Sequence, residues 1–159
     1  MPRKTTKSLE RKVNPDRRYQ SILVQRLINK SMLNGKKQVA ERAVYSAIEG
    51  AAKKLGSENP VEVLEKAIAN VSPDFEVKSR RVGGANYQIP FPVQGHRQLH
   101  YAFTWLVAAA RARKGMPYAK RLTLEIVDAY NETGAAFKKK EDTHKMAEAN
   151  RAFAHFANN

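Results

Sequence analysis

Apolar residues recur at intervals of three and four along most of this chain, and the pattern changes once. Such spacing puts apolar side chains on one face of an α-helix. Between residues 75 and 93 the interval becomes two, on both sides of Gly83-Gly84. Period-two alternation around a Gly-Gly pair predicts a β-hairpin. The predicted fold class is therefore mainly α, with one protruding β-hairpin inserted into a helical domain.

Six helices are predicted from the apolar stripes and their end signals. The third has the clearest start, because Asn59 is a favoured N-cap, Pro60 suits the first helical position and Glu62 stands at the capping-box position. In the hairpin, Pro90 and Pro92 indicate an edge strand or the end of the pairing. The stripes place the helices at about 19–32, 40–55, 60–71, 94–114, 117–131 and 135–156.

Residues 1–18 have a different composition from the rest of the chain. They carry seven Lys and Arg residues against two acidic ones, with few apolar residues and with Pro2 and Pro15. Such a segment has little surface to bury, so we expect a basic flexible arm that orders only on a polyanion. The opening MPRKTTKSLERK has no apolar run, and no signal peptide is expected. At this length we expect one helical domain over 19–159, with the hairpin at about 75–93.

Net charge is the main indicator of function. The 159 residues contain 29 Lys and Arg against 15 Asp and Glu, a formal charge of +14. A charge of this size and sign predicts a polyanionic partner, either nucleic acid or an anionic membrane surface. No run of about 18 apolar residues exists, and no helix joins an aromatic-rich face to a basic one. Nucleic acid is favoured, although the residues alone do not separate RNA from DNA.

Catalysis and metal binding find little support in the sequence. The chain has no cysteine, no phosphate-binding Walker loop and no nucleophile-elbow motif. His96 and His100 have the spacing of metal ligands on one helix face, but no carboxylate in the neighbouring turn completes a site. Ordinary polar or phosphate-facing histidines are the favoured interpretation. We therefore expect no enzyme, no metal, no cofactor and no small-molecule substrate.

The basic residues cluster in the arm, in the first inter-helix loop, on the hairpin, at the end of the fourth helix and at Lys138–Lys140. The last two clusters have structural explanations that account for the charge about as well as RNA binding does. Their cations either complement a helix dipole or lie on a solvated helix face. The arm and the hairpin have no such structural need for cations. Tyr87 lies within the hairpin, where it could stack on an unpaired base.

Four segments resemble the bacterial-type family of the seventh protein of the small ribosomal subunit. They are LINKSMLNGKKQVAERAVYSA, VEVLEKAIANVSPDFEVKSRRVGGANYQIPFPV, WLVAAARARKGMPYAKRLTLEIVDA and GAAFKKKEDTHKMAEANRAFAHF. They occur in the family's order and cover nearly the whole chain. The resemblance implies a structural protein that binds the 3′ major domain of small-subunit rRNA, nucleates assembly of the head and lies near the mRNA and tRNA exit site. It also implies contact with neighbouring ribosomal proteins through the C-terminal helix, and a place in cytoplasmic ribosomes, with an organelle left open.

The charge clusters and the resemblance together assign two sets of residues. The set expected to bind rRNA is Arg3, Lys4, Lys7, Arg11, Lys12, Arg17, Arg18, Lys30, Lys36, Lys37, Lys78, Arg97, Arg111, Arg113 and Lys114. The set expected to face mRNA and exit-site tRNA is Arg80, Arg81, Gly83, Gly84, Tyr87 and Arg151. The main alternative is a non-specific nucleic-acid chaperone, which would bind unrelated duplexes with comparable affinity. A second alternative is an RNA-processing or modifying enzyme, which would require a clustered acid–base set that the sequence does not show.

Overall fold

The computed structural model describes residues 13–158, with side chains placed as far as Phe156. Six α-helices and one hairpin confirm the predicted fold class. The elements are α1 (Ile22–Ser31), α2 (Lys37–Leu55), α3 (Pro60–Val71), β1 (Phe75–Val82), β2 (Ala85–Pro92), α4 (Gly95–Ala112), α5 (Tyr118–Tyr130), α6 (Gly134–Ala149) and a terminal 3₁₀-helix (Arg151–Asn158).

The apolar stripes of α1 to α5 converge on one core, with Ala136 of α6 at its edge. Leu27, Ile48, Leu64 and Ile126 are fully buried there, one from each of four helices. Burial of such side chains contributes about 1.5–3 kcal/mol each to folding. The same core fixes the directions of the helix ends, from which the loops and the hairpin project.

The start of α3 confirms the capping signals. Asn59 Oδ1 accepts a hydrogen bond of 3.1 Å from the backbone N–H of Val61, and Pro60 is the first helical residue. Asn59 Nδ2 donates to Glu62 Oε1 at 2.8 Å, so Glu62 bonds the cap side chain. An N-cap of this kind satisfies a backbone donor that the helix itself leaves free.

The hairpin also agrees with its sequence pattern. β1 and β2 pair antiparallel, and Val82 faces Ala85 across the two-residue turn. Gly83 and Gly84 both have positive φ, +57° and +91°, as tight hairpin turns require. The sheet has two strands, so both are edges and tolerate Pro90 and Pro92 in β2.

The last helix differs from its prediction, which extended it to Phe156. α6 ends at Ala149, and Asn150 Nδ2 donates to the Met146 carbonyl at 2.8 Å. The 3₁₀-helix follows, and within it Phe153 and Phe156 pack on Tyr87 of the hairpin, with ring centroids 5.1 and 5.5 Å apart. Packing against β2 explains why the α-helix ends at Ala149, because the tighter turns of the 3₁₀-helix bring the rings of Phe153 and Phe156 onto the strand.

The boundary of the N-terminal arm also differs, because residues 13–18 pack on the helical domain. Asp16 is only 1% exposed, and its carboxylate accepts 2.8 Å hydrogen bonds from the backbone N–H groups of Tyr19 and Ser21. Tyr45 Oη on α2 donates to the same carboxylate at 3.2 Å. Burial alone raises the pKa of Asp16, but these bonds and one from Arg18 outweigh burial and lower the pKa below its ordinary value. The rest of the predicted arm lies outside the described residues.

Among residues 13–158, none of the helices combines the length and the hydrophobicity that a membrane span requires.

Candidate nucleic-acid interface

Three helix ends meet around Ser31, where α1 terminates. Arg111 Nη2 on α4 donates to the Ser31 carbonyl at 3.3 Å, and Tyr118 Oη on α5 donates to Ser31 Oγ at 2.9 Å. Arg121 Nη1 donates to the carbonyls of Arg111 (3.2 Å) and Arg113 (2.7 Å), which holds the end of α4 against α5. These bonds fix the end of α1 against the connection between α4 and α5, which lies 80 to 87 residues later in the chain.

The cations around this junction form what we call the helix-end surface. It consists of Lys30, Lys36, Lys37, Arg111, Lys114 and Lys120. All except Lys30, which is half-buried, are exposed, and Lys37 has a long ion pair of 3.9 Å with Glu41. The loop 32–36 carries Lys36 and continues directly from Ser31. The structure therefore brings together two clusters that the sequence showed separately, those of the first loop and of the end of α4.

Arg113 belonged to the predicted rRNA set, but its guanidinium is engaged inside the domain. Its Nη2 lies 2.7 Å from Oε2 of Glu125, a carboxylate with 0% exposure, and it also bonds the carboxylate of Asp128. Glu125 Oε1 accepts a hydrogen bond of 2.9 Å from the backbone N–H of Ala136, at the start of α6. A Cβ on Gly134 would lie 2.8 Å from Cβ of Asp128, so this approach requires glycine. The geometry gives Arg113 a structural role joining α4, α5 and α6.

At its base the hairpin is tied to α4 by a second buried carboxylate. Glu76 accepts hydrogen bonds from Arg97 Nε at 2.8 Å and from Tyr101 Oη at 2.5 Å, and pairs with Lys78 Nζ at 2.7 Å. Burial alone raises the pKa of Glu76, but the bonds from Arg97, Lys78 and Tyr101 outweigh burial and lower the pKa to about 2. Lys78 and Arg97 of the predicted rRNA set thus orient the hairpin, while both side chains keep about half of their surface exposed.

The outer half of the hairpin carries most of the set predicted to face mRNA and tRNA. Gly83 and Gly84 form the exposed turn. Arg80 Nη1 donates to the Phe156 carbonyl at 3.2 Å, and Arg81 is exposed on the opposite face, since successive side chains alternate along a strand. Tyr87 is half-buried under the 3₁₀-helix. The structure therefore separates Arg81 from Arg80 and covers part of the predicted stacking surface of Tyr87.

The remaining predicted residues lie at the two ends of the chain. Arg17 is exposed, and Arg18 pairs with Glu49 of α2 at 2.5 Å. Arg151 is exposed at the start of the 3₁₀-helix, on the rim of an apolar groove formed with Phe75 and Pro92. The other arm cations, Arg3, Lys4, Lys7, Arg11 and Lys12, lie outside the described residues.

The sequence analysis considered Lys30 and the pair His96 and His100 separately, and it did not predict the polar cluster that they form with Arg26 and Asn29 between α1 and α4. Arg26, Asn29, His96 and His100 line a common pocket with Lys30. The available signal was the i, i+4 spacing, which puts Arg26 and Lys30 on one face of a predicted helix and His96 and His100 on one face of another. Among the described residues, no group of three or more His, Cys, Asp or Glu could hold a metal ion.

Comparison with known proteins agrees with the resemblance in the sequence. Residues 2–151 match the model of the family described as ribosomal protein S7p/S5e. The chain is 55% identical over 146 residues to the small ribosomal subunit protein uS7 of Dictyoglomus turgidum, covering 92% of this chain and 93% of that protein. It is 53% identical over 156 residues to the protein of the same name from Thermomicrobium roseum, covering 98% of this chain and 99% of that protein. Both relatives are named as ribosomal proteins, which agrees with the prediction that the chain is not an enzyme.

Proposed function

The chain belongs to the ribosomal protein S7p/S5e family, and we propose that it is a structural rRNA-binding protein of the small ribosomal subunit. In this proposal it binds the 3′ major domain of small-subunit rRNA and nucleates assembly of the head. The hairpin faces mRNA and exit-site tRNA, and α6 contacts neighbouring ribosomal proteins. Family membership over nearly the whole chain supports the ribosomal role, and the arrangement of cations supports the mode of binding.

The observation that carries the binding mode is the helix-end surface. Its cations come from α1, α2, α4, α5 and the loops between them, and hydrogen bonds to Ser31 and from Arg121 hold α1, α4 and α5 in place. Fixed cations reach phosphates that are arranged in one shape, and such contacts set position and orientation on a folded RNA. Specificity for shape then follows from the rigid spacing, together with contacts to 2′-hydroxyl groups.

The hairpin offers a second, separate surface. Its base is anchored to α4 through Glu76, and its exposed turn at Gly83-Gly84 is the part farthest along the strands from that anchor. An anchored base with an exposed tip suits an element that reaches a ligand beyond the rRNA-binding surface. We assign the tip and Arg81 to the exit-site ligands, and the helix-end surface to rRNA.

A reconstitution experiment tests the proposal. Small subunits are assembled from rRNA and the other proteins without this chain, and the 3′ major domain is followed by chemical probing. We expect that domain to stay unfolded and the later head proteins to be missing, and that adding the chain restores both. Normal assembly of the head without the chain would overturn the proposal.

A matched pair of variants connects the result to the helix-end surface. Replacing Lys36 and Lys114 with Gln removes two of its cations, whereas K53Q with K54Q removes two exposed cations at the end of α2. We expect the first pair of substitutions to slow restoration of the head and the second pair to leave it unchanged. Equal behaviour of the two variants would show that total charge, and not this surface, drives assembly.

A further inference from the structure

A pocket of about 250 Å³ lies between α1 and α4, beside the helix-end surface. Its polar lining belongs to the two helices, and Val13, Leu99 and Phe103 complete the wall. The polar residues are Arg26, Asn29, Lys30, His96 and His100. Pockets for whole small molecules usually have volumes of about 300–1,000 Å³, so this one suits a single small group.

The pocket presents hydrogen-bond donors and no carboxylate. Gln25 Nε2 donates to Asn29 Oδ1 at 2.9 Å, which occupies the acceptor of Asn29 and leaves its amide nitrogen as a donor. Arg26 Nε is buried and has no hydrogen-bond partner among the described residues. Lys30 has no ion pair within residues 13–158. Lys30 and the imidazoles of His96 and His100 offer donors to an anionic oxygen in the pocket, and Arg26 adds its positive charge beside them.

The local electrostatics are those of an anion site. Burial lowers the pKa of His100, and Lys30, His96 and Arg97 lower it further by repulsion of like charge. The charged and titratable groups on the elements around His100 are Arg26 and Lys30 of α1, His96, Arg97 and Tyr101 of α4, and Glu76 of β1. The single carboxylate among them is occupied by Arg97, Lys78 and Tyr101.

We propose that this pocket binds one backbone phosphate of rRNA. The assignment rests on the proposed function and adds Arg26, Asn29, His96 and His100 to its binding residues. Lys30 belongs both to the pocket and to the helix-end surface, so an RNA strand crossing that surface reaches the pocket without a break. Lys30, His96 and Arg97 repel the protonated form of His100, whereas the negative charge of a bound phosphate stabilises that form. Binding therefore takes up protons, and the affinity for RNA rises as the pH falls from about 8 to about 6.

The first test is a salt series with a 3′ major domain rRNA fragment. Lys30→Gln removes a cation from the pocket, and K53Q removes an exposed cation from the end of α2. Removing one bound phosphate reduces the slope of log K against log salt by about 0.7–0.9, so we expect a change of that size for K30Q and none for K53Q. Identical slopes for K30Q and K53Q would overturn the pocket assignment.

The second test uses pH, with His155→Gln as the control because His155 is exposed on the 3₁₀-helix. We expect wild type and H155Q to bind the fragment more tightly at pH 6 than at pH 8 by the same factor, and H96Q/H100Q to lose most of that increase. An unchanged pH dependence in H96Q/H100Q would overturn the proposal. Circular dichroism melting of each variant verifies that the fold is intact before affinities are compared.

Two outcomes separate this pocket from other interpretations. If the wild type binds scrambled RNA as tightly as the rRNA fragment while H96Q/H100Q still loses the increase in affinity at pH 6, the pocket assignment holds and the specific rRNA function fails. If inorganic phosphate at constant ionic strength shifts the imidazole NMR signals of His96 and His100, yet K30Q leaves RNA binding unchanged, the pocket takes free phosphate. That second result would overturn the assignment to an RNA phosphate.

Discussion

The carboxylate of Glu76, at the base of β1, accepts a hydrogen bond of 2.8 Å from Nε of Arg97 on α4. Glu76 is 6% exposed, so the hairpin is joined to the helical domain through a buried charge. Removing one partner of such a pair leaves the other without compensation, which is costly in a protein interior. The orientation of the hairpin, and with it the position of its tip, therefore depends on this contact.

Replacement of Glu76 with Gln should lower the free energy of unfolding by on the order of 1–3 kcal/mol near neutral pH. The pKa of Glu76 is depressed to about 2 in the folded protein, against an ordinary value of 4.5. Its contribution is thus present in full above about pH 4.5 and is lost as the pH falls towards about 2. Urea unfolding across this pH range should show that the difference in unfolding free energy between wild type and E76Q decreases as the pH falls.

The control for that measurement is Glu65→Gln, because Glu65 is an exposed carboxylate on α3. E65Q should follow the wild type at every pH to within about 0.5 kcal/mol. A gap between wild type and E76Q that stays constant from pH 7 to pH 2 would contradict the account of the hairpin anchor.

Arg113 and Lys114 are neighbours with opposite expected phenotypes. Arg113→Ala leaves the fully buried Glu125 without its cation, and breaking a buried pair costs about 3–5 kcal/mol. Lys114→Ala removes an exposed cation and should change stability by less than about 0.5 kcal/mol while weakening rRNA binding. Thermal unfolding and RNA binding, measured on both variants, check this division. Equal stability of the two variants would show that the Arg113 network does not support the fold.

Deletion of residues 1–12 and deletion of residues 1–18 should have different effects on stability. Residues 1–12 contain Arg3, Lys4, Lys7, Arg11 and Lys12, so deleting them should lower the salt slope of rRNA binding by about 0.7–0.9 for each phosphate that these cations bind. The melting temperature should stay within a few degrees of the wild type. Deleting residues 1–18 also removes Asp16, which bonds Tyr19, Ser21 and Tyr45, and should lower the melting temperature as well. Equal melting temperatures for the two deletions would contradict this boundary.

Replacing Arg80 and Arg81 with Ala should leave assembly of the subunit largely intact and reduce occupancy of the exit site by tRNA. Both residues lie beyond the Glu76 anchor, towards the tip of the hairpin. Because Arg80 also bonds the Phe156 carbonyl, the single variant R81A tests the tip without disturbing that contact. Filter binding of deacylated tRNA to reconstituted subunits measures the effect. Failed assembly combined with normal exit-site binding would contradict the assignment.

The parts of the fold that sequence predicted well are those determined by neighbouring residues. The cap at Asn59, the turn at Gly83-Gly84 and the apolar stripes depend on contacts within a few positions, and the structure confirms them. The end of α6 depends on Phe153 and Phe156 packing against Tyr87, more than 60 residues earlier in the chain. No local pattern contains that contact, so the prediction extended the helix too far.

The difference between local and distant contacts also explains why some predicted binding residues have structural roles. A run of cations such as Arg111–Lys114 shows its charge in the sequence but not its partners. Glu125 and Asp128, which engage Arg113, lie on the next helix, and only packing brings them within reach. Arg97 is similar, because Glu76 lies 21 residues away. Charge therefore predicted the class of partner, while the role of each cation required the structure.

We propose that this chain recognises one folded RNA domain and not polyanions in general. The most direct measurement is its affinity for a 3′ major domain rRNA fragment, against scrambled RNA of equal length, from about 50 to 200 mM salt. With about 6–10 phosphate contacts, both affinities should fall by about 10³–10⁵-fold over that range. We expect a preference of several hundredfold for the rRNA fragment that persists near physiological salt. Equal affinities that vanish together as salt rises would contradict the claim and favour a non-specific nucleic-acid chaperone.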